Sequence, residues 1–162
     1  MSEPNYASIE DMQAWASHVM RARNPDFIVG DNYLKRWFIV PRNRMSNVYL
    51  HWMVGDDDDR ALHDHPWSNT SVIIQGGYIE VTPKGRFERC EGDVIHRDAK
   101  QAHRLVMHRD DEGKPIPCIS LFYTGPNVRE WGFHCPKGWV HWRDFVDERG
   151  TGRIGRGCGE HD

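Results

Sequence analysis

The sequence lacks features that membrane proteins, secreted proteins and nucleic-acid binders usually show. None of its stretches reaches the roughly 18 apolar residues that a membrane-spanning helix needs. Basic residues are not in excess, because 21 Lys and Arg stand against 24 Asp and Glu, for a net charge of -3. The first residues, MSEPNYASIEDMQ, have no basic region followed by an apolar run, as a secretory signal would. These absences predict a cytoplasmic protein that binds neither membranes nor nucleic acid.

Cysteine is also scarce, and no two of the four cysteines form a CxxC pair. They are Cys90, Cys118, Cys135 and Cys158. Structural zinc sites usually show closely spaced ligand pairs, so the spacing of Cys135 and Cys158 does not favour one. Free, reduced thiols are the expectation for a cytoplasmic chain. The sequence has neither a GxSxG nor a GxxxxGK[ST] motif, so it offers no signal for a serine nucleophile or a phosphate loop.

The hydrophobic pattern present predicts one domain over 1–162, with a helix followed by short strands. Residues 8–23 have apolar side chains at helical spacing, and Ser8 and Asp11 are placed to cap the first turn. We expect this helix to lie against the outside of a barrel. From residue 27 the period changes to two, and turns separate the strand-like segments, which predicts an all-β barrel over 27–146. The Gly-rich segment 147–162 favours a loose tail.

The segment that carries chemistry is Leu62-His63-Asp64-His65-Pro66-Trp67. On a strand, side chains two residues apart face the same way, so His63 and His65 point together and Asp64 points away. Two imidazoles on one face form a metal-binding pair that suits Zn, Cu, Fe and Ni. A second candidate segment runs from Gly92 to His103.

The spacing of these residues resembles the two motifs of the cupin superfamily. His63, His65 and Gly76 match the first motif, and Gly92 and His103 match the second. The resemblance implies an all-β cupin fold, a double-stranded β-helix or jelly-roll barrel with one N-terminal helix. It also implies one divalent transition metal held by His63, His65 and His103, and it makes a homodimer an expectation.

The chain departs from the cupin motifs in ways that bear on activity. Asn69 stands where cupins usually have a glutamate ligand, so it is a candidate weak ligand or a group that orients metal-bound water. Asp98 and Lys100 replace the usual Pro and Gly before the last ligand. The three-His set is similar to that of thiol dioxygenases, which favours Fe(II), with Zn, Mn and Ni as alternatives.

Two further residues are candidates for the site, and several functions stay open. Tyr123 is predicted to border the pocket and to donate a hydrogen bond as a catalytic residue. His96, seven residues before His103, is either a surface histidine or an alternative ligand. We expect a metal-dependent enzyme with a small-molecule substrate and dioxygenase-like chemistry. Isomerase or lyase chemistry, a non-catalytic ligand-binding cupin and a structural assembly protein are the alternatives.

The whole chain also resembles a group of uncharacterised cupin-like proteins of bacteria and phages. The resemblance lies in residues 60–67, 76–78 and 125–142. It implies a fold and no particular activity.

Overall fold

The structure is a computed structural model that describes residues 7–31, 33–58, 60–146 and 155–159. Twelve strands and two helices occur in these ranges. In chain order they are α1 (Ile9–Ala22), β1 (Phe27–Val29), β2 (Leu34–Phe38), β3 (Asn47–Met53), β4 (Leu62–His63), β5 (Asn69–Gln75), β6 (Gly77–Thr82), β7 (Gly85–Cys90), β8 (Val94–Arg97), β9 (Arg104–Met107), β10 (Cys118–Thr124), β11 (Gly132–Cys135), β12 (Gly138–His141) and α2 (Trp142–Phe145).

Helix α1 begins at the capping box that the sequence predicts. The Ser8 side chain accepts a hydrogen bond from the Asp11 backbone N–H, and the Asp11 carboxylate accepts one from the Ser8 backbone N–H. Two N–H groups that lack a partner within the helix are thereby satisfied. Ala16 is fully buried, and Gln13 donates its side-chain amide to the carbonyl of Ile74 on β5. The helix therefore packs on the outer face of a sheet, as predicted.

That sheet has six strands in the order β1-β2-β3-β10-β5-β8, and every pair described is antiparallel. Successive side chains alternate between its two faces. Leu50 and Leu121 face outward and form one apolar cluster with α1. Arg36, His51 and Ser120 lie opposite one another on three neighbouring strands and face inward.

Two three-stranded sheets, β7-β6-β9 and β12-β11-β4, complete the β structure. A second apolar cluster joins the inner face of the large sheet to β6 and β9, through Ile73, Tyr78 and Met107 among others. A third cluster surrounds Phe133 on β11 and Phe145 on α2. This arrangement of short antiparallel strands with one N-terminal helix is the double-stranded β-helix, or cupin, fold.

Gly76 separates β5 from β6. Its φ is +76°, a value that L side chains rarely adopt, and a Cβ atom there would lie 2.4 Å from the Pro117 carbonyl oxygen. Glycine at this position of the first motif thus has a local structural reason, namely a sharp change of direction between two sheets.

The expectation of reduced thiols is wrong for one pair, because Cys135 and Cys158 form a disulfide across 23 residues. Sequence spacing could not indicate this, since the two residues meet only after β11 and the chain end approach each other. Cys90 and Cys118 are free thiols. The disulfide attaches Cys158 to β11, so the segment around it does not behave as the loose tail expected. Most of that tail, 147–154 and 160–162, lies outside the described residues.

Neither helix in the described part of the chain is long and apolar enough to cross a membrane.

Candidate metal centre

Backbone pairing brings His63 and His103 together. They form an isolated antiparallel bridge in which each backbone N–H donates to the other residue's carbonyl, at 2.9 Å in both directions. Residues that oppose each other in this way direct their side chains to the same face. Strand β4 ends at His63, so His65 is positioned instead by a hydrogen bond from its N–H to the Ala99 carbonyl at 3.0 Å. Two crossings between distant parts of the chain therefore build the histidine set.

The three histidines meet as predicted. His63, His65 and His103 each offer a ring nitrogen, and these nitrogens all lie within 4.8 Å of one another. Their ring centroids are 4.9–5.1 Å apart. Imidazole nitrogens converging at this spacing fit a transition metal such as Zn, Fe, Ni or Cu.

The protonation of the cluster also suits a metal. Burial lowers the pKa of His63 to about 4, and burial together with the neighbouring positive charges lowers the pKa of His65 well below its usual range. Both rings are therefore neutral at physiological pH and keep a lone pair for a ligand. Nδ1 of His65 is buried and has no hydrogen-bond partner among the described residues. A buried nitrogen of this kind is costly unless something binds to it, which a metal ion would do.

Glu80 orients the third histidine. Its side chain is completely buried, and its Oε1 lies 2.7 Å from Nδ1 of His103. Burial alone would raise the pKa of Glu80, but hydrogen bonds from His103 and Arg97 outweigh it and hold the pKa well below its usual range. The ionised carboxylate can only accept, so His103 carries its proton on Nδ1 and turns the Nε2 lone pair toward the cluster.

Two arginines neutralise Glu80. Arg97, 1 % exposed, donates its Nε–H to Oε1 at 2.5 Å, and Arg89 donates to Oε2 at 2.7 Å. Arg97 also donates to Ser71 Oγ and to the Tyr78 hydroxyl. The histidine motifs do not indicate Glu80, although a lone carboxylate inside the strand pattern Gly77–Thr82 is a usable signal.

Asn69 lies beside this network. Its Oδ1 accepts a hydrogen bond from Arg97 at 3.3 Å, and its Nδ2 is buried without a partner among the described residues. The amide oxygen that would serve as a weak ligand is thus occupied by Arg97. The structure brings Asn69 to the edge of the site as a partner of Arg97.

Tyr123 and His96 lie away from the cluster. On β10 the inward residues are Ser120 and Phe122, so Tyr123 faces outward, is 41 % exposed and does not line the cavity. We therefore do not keep Tyr123 as a catalytic residue. His96 is exposed on β8, where its Nδ1 lies 3.0 Å from Thr70 Oγ1, as an ordinary surface histidine would.

Asp64, between the two ligand histidines, points away from the cluster as predicted and anchors the loop. It is 1 % exposed and accepts from the Gly132 N–H at 2.9 Å, from Trp139 Nε1 at 3.0 Å and from the Arg129 guanidinium at 2.8 Å. Nε2 of His134 lies 2.9 Å from Oδ2 of the same carboxylate. These bonds attach the HxH segment to β11 and β12.

The histidines line a cavity of about 500 Å³, a size that suits a small molecule. Trp67 stacks on His65 with ring centroids 5.2 Å apart, and Phe122 and Tyr49 extend the aromatic wall. Four arginines besides Arg97 also line the cavity. They are Arg36, Arg42, Arg129 and Arg143.

Comparison with known proteins agrees with this architecture. No family model matches the sequence, and no curated protein matches it. Among solved structures, the DMSP lyase DddQ from Ruegeria pomeroyi matches with a TM-score of 0.55 and 13% identity, over 85% of this chain and 75% of that one. An uncharacterised conserved protein with a double-stranded β-helix domain from Klebsiella pneumoniae has a TM-score of 0.49 and 15% identity, over 81% of this chain and 97% of that one.

A cupin superfamily protein from Desulfitobacterium hafniense has a TM-score of 0.46 and 14% identity, over 59% of this chain and 79% of that one. Several solved structures similar to this chain are cupin or double-stranded β-helix proteins, one of them uncharacterised. At these identities the similarity establishes the fold only.

Proposed function

We propose that the protein is a metal-dependent enzyme acting on a small molecule, with one divalent transition metal on His63, His65 and His103. The observation that carries the proposal is the convergence of three buried or half-buried imidazoles, two of them held neutral and the third oriented by the carboxylate of Glu80. A purely structural cluster would not need a buried ring nitrogen without a hydrogen-bond partner.

The cavity above the histidines favours an enzyme over a filled structural barrel. It opens beside all three rings and is lined by arginines and aromatic side chains, which suit a substrate with a charged group and an apolar part. Glu80 holds the proton of His103 on Nδ1, and Trp67, which lines the cavity, covers one side of His65. These residues fix the ligand geometry and exclude water from one side of the centre.

Among possible reactions, we favour oxygen activation by Fe(II). Imidazole ligands contribute no negative charge, so the charge of a bound metal would be left for an anionic substrate group in the remaining positions. When bound, the metal would supply Lewis acidity or oxygen chemistry at the cavity floor. Lyase or isomerase chemistry is the second candidate, because one solved structure similar to this chain is a DMSP lyase.

Metal analysis of the purified protein tests the proposal. We expect close to one metal ion per chain, or uptake of one ion by metal-free protein, and loss of that ion in His103→Ala. A His96→Ala variant should retain it, because His96 is exposed and outside the cluster. A wild-type protein that neither contains nor takes up a stoichiometric metal would refute the proposal. Oxygen consumption by Fe(II)-loaded protein with candidate substrates then separates oxygenase from lyase chemistry.

A further inference from the structure

One half-buried arginine of the cavity has no acidic partner among the described residues, whereas the two other cavity arginines without one, Arg42 and Arg143, are exposed. Arg36 on β2 donates its Nε–H to His51 Nε2 on β3 at 2.9 Å, and its guanidinium lies 4.5 Å from the ring centroid of Tyr49. Both contacts hold the guanidinium in place, but neither neutralises it. The two terminal nitrogens make no hydrogen bond or ion pair within the described residues, which leaves four N–H donors for a ligand.

Two other arginines that line the cavity are paired. Arg97 is bound to Glu80, and Arg129 is bound to Asp64. Arg36 differs from both because it is half-buried and still carries an uncompensated charge. A charged group removed from water without a counter-ion is unfavourable, so an anion that entered the cavity would be stabilised at this position.

A second positive charge strengthens the field at Arg36. Burial lowers the pKa of Arg36, and the nearby charge of Arg42 lowers it further, although Tyr49 acts in the opposite direction. Arg42 also lines the cavity. Two arginines that line one cavity and lie close enough to repel each other attract an anion more strongly than either would alone.

Aromatic contacts connect Arg36 to the histidine cluster. The His51 ring, which receives the Arg36 hydrogen bond, stacks on Phe122 with centroids 5.1 Å apart. Phe122 in turn lies 6.5 Å from the ring centroid of His65. A ligand bound between Arg36 and the metal would therefore lie along an aromatic surface, which favours a short apolar chain in its middle.

We propose that Arg36 binds the carboxylate of a small organic acid whose other end reaches the metal on His63, His65 and His103. The two terminal nitrogens of one guanidinium match the two oxygens of one carboxylate. This inference rests on the proposed function, because it names the substrate class of the same site. It adds a specificity-determining residue that neither the histidine motifs nor their spacing indicates.

Paired synthetic ligands test the assignment. Each pair consists of an ω-carboxy hydroxamate with one to four methylene groups and the corresponding primary amide. The hydroxamate end binds the metal in both members, and only one member carries the carboxylate. Titration of Co(II)-loaded protein, followed by visible absorption, gives the dissociation constants. For the chain length that fits, we expect the carboxylate to bind about tenfold or more tightly than the amide.

Variants assign that preference to one residue. Arg36→Gln should reduce the ratio of carboxylate affinity to amide affinity to about one. Arg36→Lys keeps the charge but loses the paired N–H donors of the guanidinium, so it should retain a smaller ratio than the wild type. Arg143→Gln is the matched control, because it removes one positive charge from the same cavity and should preserve the wild-type ratio. Thermal melts and circular dichroism establish that each variant is folded.

The possible results separate the two proposals. A wild-type protein that binds Co(II) but shows no carboxylate preference overturns the role of Arg36 and leaves the metal site standing. A preference that survives in Arg36→Gln, or that disappears equally in Arg143→Gln, also overturns it. If no metal binds, the proposed function fails. The same ligand pairs are then compared by their shift in the Tm of metal-free protein, and equal shifts for carboxylate and amide overturn the Arg36 subsite as well.

Discussion

Replacing Glu80 by Gln is the sharpest test of how the centre is built. The substitution conserves size but removes the charge that His103, Arg97 and Arg89 share. Glu80 is fully buried and Arg97 is 1 % exposed, so solvent cannot replace the lost carboxylate. We expect two separable consequences, one for the fold and one for the metal.

The expected magnitudes follow from burial. Removing one partner of a buried ion pair costs about 3–5 kcal/mol. The amide oxygen of Gln can recover one hydrogen bond, so we expect the free energy of unfolding to fall by about 3 kcal/mol. Loss of the group that orients a metal-binding histidine typically weakens metal affinity by about 10–100-fold. That range corresponds to about 1.4–2.7 kcal/mol.

Denaturant unfolding of the metal-free protein measures the first effect, and competition with a chelator measures the second. Glu88→Gln is the control, since this carboxylate is exposed and contacts only His108 among the described residues; it should change stability by less than about 0.5 kcal/mol. If Glu80→Gln left metal affinity within about threefold of wild type, our account of the His103 orientation would be wrong.

Three further perturbations probe other parts of the molecule. Asp64→Ala should lower the free energy of unfolding in urea by about 3 kcal/mol, because it leaves the Gly132 N–H without its acceptor and Arg129 without its counter-ion. A loss below about 1 kcal/mol would contradict the anchoring role. Ser8→Ala should lower the free energy of unfolding by about 1 kcal/mol through loss of the helix cap. Its Tm should therefore fall less than that of Asp64→Ala. Burial, with the charge of Arg36, lowers the pKa of His51 well below its usual value of 6.5, so protonation favours the unfolded state. The contribution of neutral His51 to stability is therefore full above pH 6.5 and falls by about 2 kcal/mol between pH 7 and pH 5. The free energy of unfolding of His51→Gln should fall less steeply over this range. An unchanged pH dependence in that variant would argue against a neutral His51.

The features that depend on neighbouring residues could be predicted from the sequence. Helix α1 begins at the predicted cap, because Ser8 and Asp11 lie within one turn of each other. Alternation of apolar side chains indicates strands such as β3 and β10 for the same reason, since the period of two is a local property of extended backbone. The spacing of the histidines was specific enough to name all three members of the cluster, though not the backbone bridge that joins His63 to His103.

The remaining features were decided by contacts between distant segments. The prediction that Tyr123 borders the pocket is wrong. Alternation shows that successive residues on β10 face opposite ways, but it does not show which of them faces inward. The pairing of β10 with β3 and β5 decides that. Glu80 meets His103 across 23 residues, and Arg36 meets His51 across 15, through strand register and sheet packing. The sequence by itself therefore determined the helix, most strands and the three histidines of the cluster. Only the tertiary structure decided which charges surround them, because a charge is paired or left uncompensated according to neighbours that folding brings together.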